Sequence, residues 1–171
     1  MARNVEIKAR VAEPEVLEAQ VAALADAGPW VIEQDDTFFG CGAGRLKLRD
    51  FLTEPASGEL IYYSRADTTG PAGSYYERSA TSDPAGLRAV LFTAYGQIGR
   101  VLKTRRLYMI GRTRVHLDAV AGLGAFMELE VVLADSEAEE AGEAEARRLM
   151  AGLGIENSAL CEGAYVDMLR A

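Results

Sequence analysis

The chain is poor in the residues that build cysteine and histidine centres: two cysteines, one histidine and one tryptophan occur among its 171 residues. Cys41 and Cys161 form neither a CxxC pair nor a Cys/His cluster, which excludes a thiolate metal site or redox pair and leaves a reduced, cytoplasmic protein as the expectation. No apolar run approaches the roughly 18 residues needed to span a bilayer. A strand-like pattern begins at Asn4, leaving no room for a signal peptide. The net charge of −8 excludes a broad basic surface for nucleic acid. Linkers, internal repeats and low-complexity tracts are also missing, and the length suits one domain over residues 1–171.

What remains is a chain of short periodic segments. Helices are expected over three stretches. Residues 14–27 open on Pro14, carry Leu17, Val21 and Leu24 on one face, and end at Gly28-Pro29. Residues 83–96 open on Asp83-Pro84, stack Leu87, Val90 and Leu91, and stop at Gly96. A third helix begins at Ser136, with Glu139 completing a capping box, and stops near Gly152. A short C-terminal helix is placed at about residues 158–169. The other segments alternate with period two: 4–11, 36–40, 45–51, 60–66, 74–80, 100–108, 112–119 and 126–133. Hairpin loops are read at 40–44 and 121–124. About eight strands in a meander predict an antiparallel sheet closing into a barrel, an α+β fold with helices packed outside.

Every second strand residue carries charge. Glu6, Lys8 and Arg10 alternate with Val5, Ile7 and Val11; Arg45, Lys47 and Arg49 alternate with Leu46 and Leu48. The pattern continues through Tyr63 and Arg65, Lys103 and Arg105, then Arg112, Arg114, His116 and Asp118, and finally Glu128 and Glu130. A solvated sheet face is the simpler explanation. Against it, the cations are grouped by strand, the glutamates sit on the first and last strands, and the helices need the apolar face to pack on. Closure then turns the charged face into a lumen. Arginine and lysine suit phosphate oxygens, and glutamates suit Mg²⁺ or Mn²⁺.

The ordered motifs Glu6-Ile7-Lys8, Gly44-Arg45-Leu46-Lys47-Leu48-Arg49, Lys103-Thr104-Arg105, Arg114-Val115-His116-Leu117-Asp118 and Glu128-Leu129-Glu130 resemble the CYTH family, the triphosphate tunnel metalloenzymes. The likeness is strongest to bacterial proteins of the class IV adenylate cyclase type. It implies an eight-stranded tunnel in which Lys8, Arg45, Lys47, Arg49, Arg65, Lys103, Arg105 and Arg114 bind an organic tri- or diphosphate. Glu6, Glu128, Glu130 and Asp118 would hold Mg²⁺ or Mn²⁺, and Glu6, Lys8, Arg49, Arg105 and Arg114 would carry catalysis. The implied activity is adenylate cyclisation or triphosphate hydrolysis; another organic pyrophosphate such as a prenyl diphosphate, or polyphosphate binding without turnover, stays open, as does a homodimer. Asn4 departs from the family's Glu-x-Glu-x-Lys, replacing a charged oxygen ligand by a neutral one. Asp118 either orients a lysine or joins the metal. His116 is either structural or lumenal, and Tyr165 and Asp167 either close one mouth or pack and lie exposed.

Overall fold

The computed structural model describes residues 2–65 and 70–171. Eight strands are present: β1 (Ala2–Arg10), β2 (Ala27–Phe39), β3 (Arg45–Asp50), β4 (Gly58–Arg65), β5 (Ala72–Thr81), β6 (Gln97–Ile110), β7 (Thr113–Val120) and β8 (Gly124–Val132). Ala66, expected at the end of the fourth strand, lies outside the described residues. The strands form a closed barrel in the order β1-β5-β4-β3-β2-β6-β7-β8, and every neighbouring pair is antiparallel. The sheet is thus two meanders, β2 to β5 and β6 to β8. They are joined along one seam by β2 against β6 and along the other by β1, inserted between β5 and β8. No helix among the described residues is long and apolar enough to cross a membrane.

Three helices cover the outside. Helix α1 (Pro14–Leu24) lies over β6 and β7 and α3 (Glu139–Gly152) over β1 and β8, and their Leu17, Val21, Ala146 and Met150 join Val5, Ile7, Val115, Leu129 and Val131 in the largest core. Helix α2 (Pro84–Tyr95) covers Phe39 and Leu48 with Leu91. Asp83 caps α2 by accepting a hydrogen bond from the Gly86 amide at 2.8 Å. The C-terminal segment, with helix α4 (Tyr165–Met168), does not lie on the outside. Tyr165, Ala164 and Val166 pack on Phe38, Val101 and Phe126 and plug one end of the barrel.

Several expectations are corrected. Helix α1 ends at Leu24, and β2 starts at Ala27, nine residues before the expected position. Gly28 makes the early start feasible: it has φ 107°, and a Cβ there would lie 2.6 Å from the Leu107 carbonyl oxygen. The box at Ser136 does not form. Helix α3 begins at Glu139, and Glu137 and Glu139 are drawn instead to Arg112 and Arg3. Val90 and Leu24, expected on the packed helix faces, are exposed. The C-terminal helix is one turn at residues 165–168, preceded by a 3-10 turn (Asn157–Ala159). Arg112 lies in the turn before β7 and pairs with Glu137 and Glu145 outside the barrel.

Candidate active site in the barrel lumen

The inward parity of all eight strands converges on one cavity of about 340 Å³. That volume lies within the range of small-molecule sites. Glu6, Lys8, Arg45, Lys47, Arg49, Arg65, Lys103, Arg105, Arg114, Glu128 and Glu130 all line it, as do Asn4, Asp36 and His116. Asp118, on the same parity, is buried just behind the wall. Nine cations and five carboxylates line the cavity, so its wall carries an excess of positive charge.

The β2–β3 wall is organised by Asp36. Its carboxylate accepts two bonds from Arg49, at 2.8 and 2.7 Å, and one from Lys47 at 3.0 Å. Burial raises the Asp36 carboxyl, but Arg49 and Lys47 overcome this and hold it well below the ordinary range. Sequence alternation starts a strand at Asp36 and assigns that residue no role, because the polar run Glu33-Gln34-Asp35 before it hides the rest of β2. The Trp30-Val31-Ile32 run just before it was the available signal of a longer strand.

The β6–β7–β8 wall is organised by Arg105. It donates to both oxygens of Asp118, at 2.7 and 2.6 Å, and to Glu128 at 2.6 Å. Lys103 is 3.6 Å from Asp118, and the Tyr165 hydroxyl donates to the same carboxylate at 3.0 Å. Burial opposes ionisation of Asp118, yet Arg105 and Lys103 bring it down to about 2. Asp118 thus holds Arg105 and Lys103, and it is not among the three side chains whose ligand atoms lie together. Burial, reinforced by Arg105, lowers Lys103 to about 7.

Beside this wall the carboxylates gather. Glu6 pairs across the sheet with Glu130, and Lys8 with Glu128. Burial, then Glu130, raises Glu6 to about 7 against the pull of Arg65, whose Nε is 3.7 Å away. One ligand atom from each of His116, Glu128 and Glu130 lies within 4.8 Å of the others. His116 Nδ1 is 3.5 Å from Glu130 and 3.8 Å from Glu128 and, like Asn4 Oδ1, is buried without a hydrogen-bond partner. Against the opposing effect of burial, His116 helps to hold both glutamates below the ordinary carboxylate range, and the three side chains are also close enough together to hold a cation. Glu6 stands outside this trio, next to it on the wall.

The plug fixes one end of the lumen. Lys8 donates to the Gly163 carbonyl at 2.8 Å and sits 4.2 Å from the Tyr165 ring centroid, while Arg45 meets Asp167 at 2.9 Å. Both Tyr165 and Asp167 therefore belong to the closure of that mouth.

A closed antiparallel barrel with a cation-rich lumen and a carboxylate cluster is a tunnel protein. The chain belongs to the CYTH family, whose domain model matches residues 2–165; members are typically metal-dependent triphosphate tunnel enzymes. No curated protein sequence matches it. Among solved structures, the PH1012 protein from Pyrococcus horikoshii OT3 aligns with a TM-score of 0.85 at 21% identity, covering 97% of this chain and 99% of that one. A Vibrio parahaemolyticus protein proposed to be an adenylate cyclase gives 0.79 at 18% identity, with 98% of each chain covered. HpAC1 from Hippeastrum, described as having a dominant triphosphatase activity, gives 0.68 at 14% identity, covering 98% and 95%. At these identities the likeness establishes the fold.

Proposed function

We propose that the protein is a metal-dependent phosphoryl- or nucleotidyl-transfer enzyme acting on an organic triphosphate, with hydrolysis of the triphosphate as its first candidate reaction. The observation that carries this reading is the charge of the lumen: nine cations against five carboxylates around a single cavity. An excess of about four positive charges matches a fully ionised triphosphate chain, and the desolvated wall makes each contact stronger than in water. Six residues along β2 from the plug-facing Phe38, a distance of about 20 Å, Ile32 lines the cavity, and Leu107 and Phe51 also lie on its wall. These apolar side chains suit the organic part of the substrate.

In this reading Lys47, Arg49, Lys103, Arg105 and Arg114 grip the phosphates and neutralise charge that develops on non-bridging and leaving oxygens. Asp36 and Asp118 hold the cations in place beforehand. Glu128, Glu130 and His116 would hold a divalent metal, which supplies Lewis-acid polarisation of the phosphate. Glu6, poised near neutral proton affinity, is the carboxylate positioned to accept a proton from the attacking water or hydroxyl.

Hydrolysis is placed before cyclisation because HpAC1, of the same fold, is described by its triphosphatase activity. The test is product analysis with ATP, other nucleoside triphosphates, inorganic tripolyphosphate and a prenyl diphosphate, each with Mg²⁺ or Mn²⁺. Metal-dependent phosphate release is expected. Cyclic nucleotide with pyrophosphate would assign the cyclase instead, and tight binding with no product a sequestering module. Absence of binding to all of these compounds would refute the reading.

A further inference from the structure

We infer that Gln34 and Trp30 are specificity-determining residues of the tunnel, selecting a substrate in which a hydroxyl-bearing spacer and then a planar ring follow the phosphates, the order of groups in a nucleoside triphosphate. The inference rests on the triphosphate reading above and goes beyond it to recognition of the organic part.

The first argument is an unpartnered atom. Gln34 is 3% exposed and lines the cavity, yet its Oε1 has no hydrogen-bond partner among the described residues. Its neighbours are engaged elsewhere. Lys103, directly across the sheet, lies 3.6 Å from Asp118, and Asp36, the next inward residue of β2, is taken up by Arg49 and Lys47. A buried amide oxygen without a partner is costly. It accepts hydrogen bonds only, and an ionised phosphate chain also offers acceptors only, so the phosphates do not satisfy it. An O–H or N–H group on the organic part does.

The second argument is an unpacked aromatic ring. Trp30 pairs across the sheet with Leu107, which lines the cavity, so the two share the lumen face of the barrel. It stands at the end of β2 away from the plug, which packs on Phe38. Trp30 is 49% exposed, joins none of the three apolar clusters and stacks on no aromatic ring among the described residues. Tryptophan is ordinarily well buried. Here the register shifts between Ala27 and Trp30, where Gly28 lets the backbone approach Leu107 closely. The backbone is thus fixed beneath a ring that is left half exposed.

The third argument is order along one strand. Asp36, Gln34, Ile32 and Trp30 follow one another on the lumen parity of β2. Asp36 marks the cations that grip phosphate. Gln34 lies about 7 Å further along the strand and Trp30 about 13 Å beyond it, with Ile32 between them on the cavity wall. A nucleoside triphosphate presents its groups in the same sequence: phosphates, sugar hydroxyls, then a flat base with an open face for stacking. Inorganic tripolyphosphate has nothing to offer either residue, and a prenyl chain has no donor for Gln34.

Trp30 is the single tryptophan of the chain, so tryptophan fluorescence reports on it alone. With Mg²⁺ present, a methylene-bridged ATP analogue is expected to quench this emission, and inorganic tripolyphosphate to bind without quenching it. By calorimetry, an analogue lacking both ribose hydroxyls should bind about tenfold more weakly than its parent, the loss of one hydrogen bond. Gln34→Leu should abolish that difference. Trp30→Ala should weaken the parent analogue about tenfold and leave tripolyphosphate binding unchanged. If Gln34→Leu does not fold, the comparison of the two analogues on wild type decides alone. Binding of the analogue without quenching, without a cost for the missing hydroxyls, or no tighter than tripolyphosphate overturns the inference and leaves the triphosphate reading standing. Failure of the analogue and tripolyphosphate alike to bind overturns both.

Discussion

The two walls of the lumen are built from the same residue types and are left in different states. On the β2–β3 wall, one carboxylate serves two cations: Asp36 takes Lys47 and both nitrogens of the Arg49 fork. On the wall of β1, β7 and β8, carboxylates crowd one another. Glu6 faces Glu130 across the sheet, Glu128 is shared by Lys8 and Arg105, and Asn4 Oδ1 and His116 Nδ1 have no partner. A wall whose charges are already matched is preorganised, and its cations meet a phosphate without moving far. On the other wall each glutamate also has a cation beside it, yet Glu6, Glu128 and Glu130 stand close enough to repel one another. On the proposed reading the first wall offers its cations to the phosphate and the second its clustered carboxylates to a metal.

The comparison breaks most visibly at Arg105, the residue that ties the second wall together. Arg105→Ala leaves Asp118 buried with Lys103 as its remaining cationic contact and frees Glu128 of its shortest bond. Removing one partner of such a buried pair destabilises by about 3–5 kcal/mol. Thermal or urea unfolding without ligand is expected to show this loss, and unchanged stability would mean that the network is not structural. On the matched wall, Lys47→Ala should behave differently, since Asp36 retains both bonds from Arg49. Stability is expected to change little, while affinity for tripolyphosphate falls by about 1.5–3 kcal/mol, measured by calorimetry. An equal loss from Lys47→Leu and none from Lys47→Arg would sharpen the assignment to charge.

The smallest effect belongs to Glu6 and depends on pH. In the folded protein burial and Glu130 keep this carboxyl protonated up to about 7, against 4.5 for an ordinary glutamate. A raised folded value means that its contribution to stability is complete below about pH 4.5 and is lost as pH rises through 7. Glu6→Gln preserves the neutral form at every pH. Without metal, the variant is expected to match wild type near pH 4.5 and to melt higher than wild type at pH 8. A difference that does not vary with pH would place Glu6 outside the unmatched wall.

Much of this arrangement is legible along the chain, because inward and outward residues alternate and a closed barrel lets no strand change face. Lys8, Lys47, Arg105 and Glu128 are assigned to one surface by parity alone, and Val5, Leu48 and Leu129 to the other. Parity does not say which charge meets which. Asp36 and its neighbour Asp35 look alike in sequence. The register of β2 against β3 and β6 sends Asp36 inward to Lys47 and Arg49, and Asp35 outward to Arg88 and Arg100. Asp118 shares its parity with the metal-binding candidates, yet β6 sets Arg105 directly opposite and takes up its carboxylate. The histidine that sequence leaves without a role is set between two glutamates by the pairing of β7 with β8. Composition and alternation are local, so the sequence by itself determines a barrel with a charged interior. Which carboxylates are neutralised and which remain to receive an ion depends on contacts between residues far apart in the chain, and only closure of the sheet decides them.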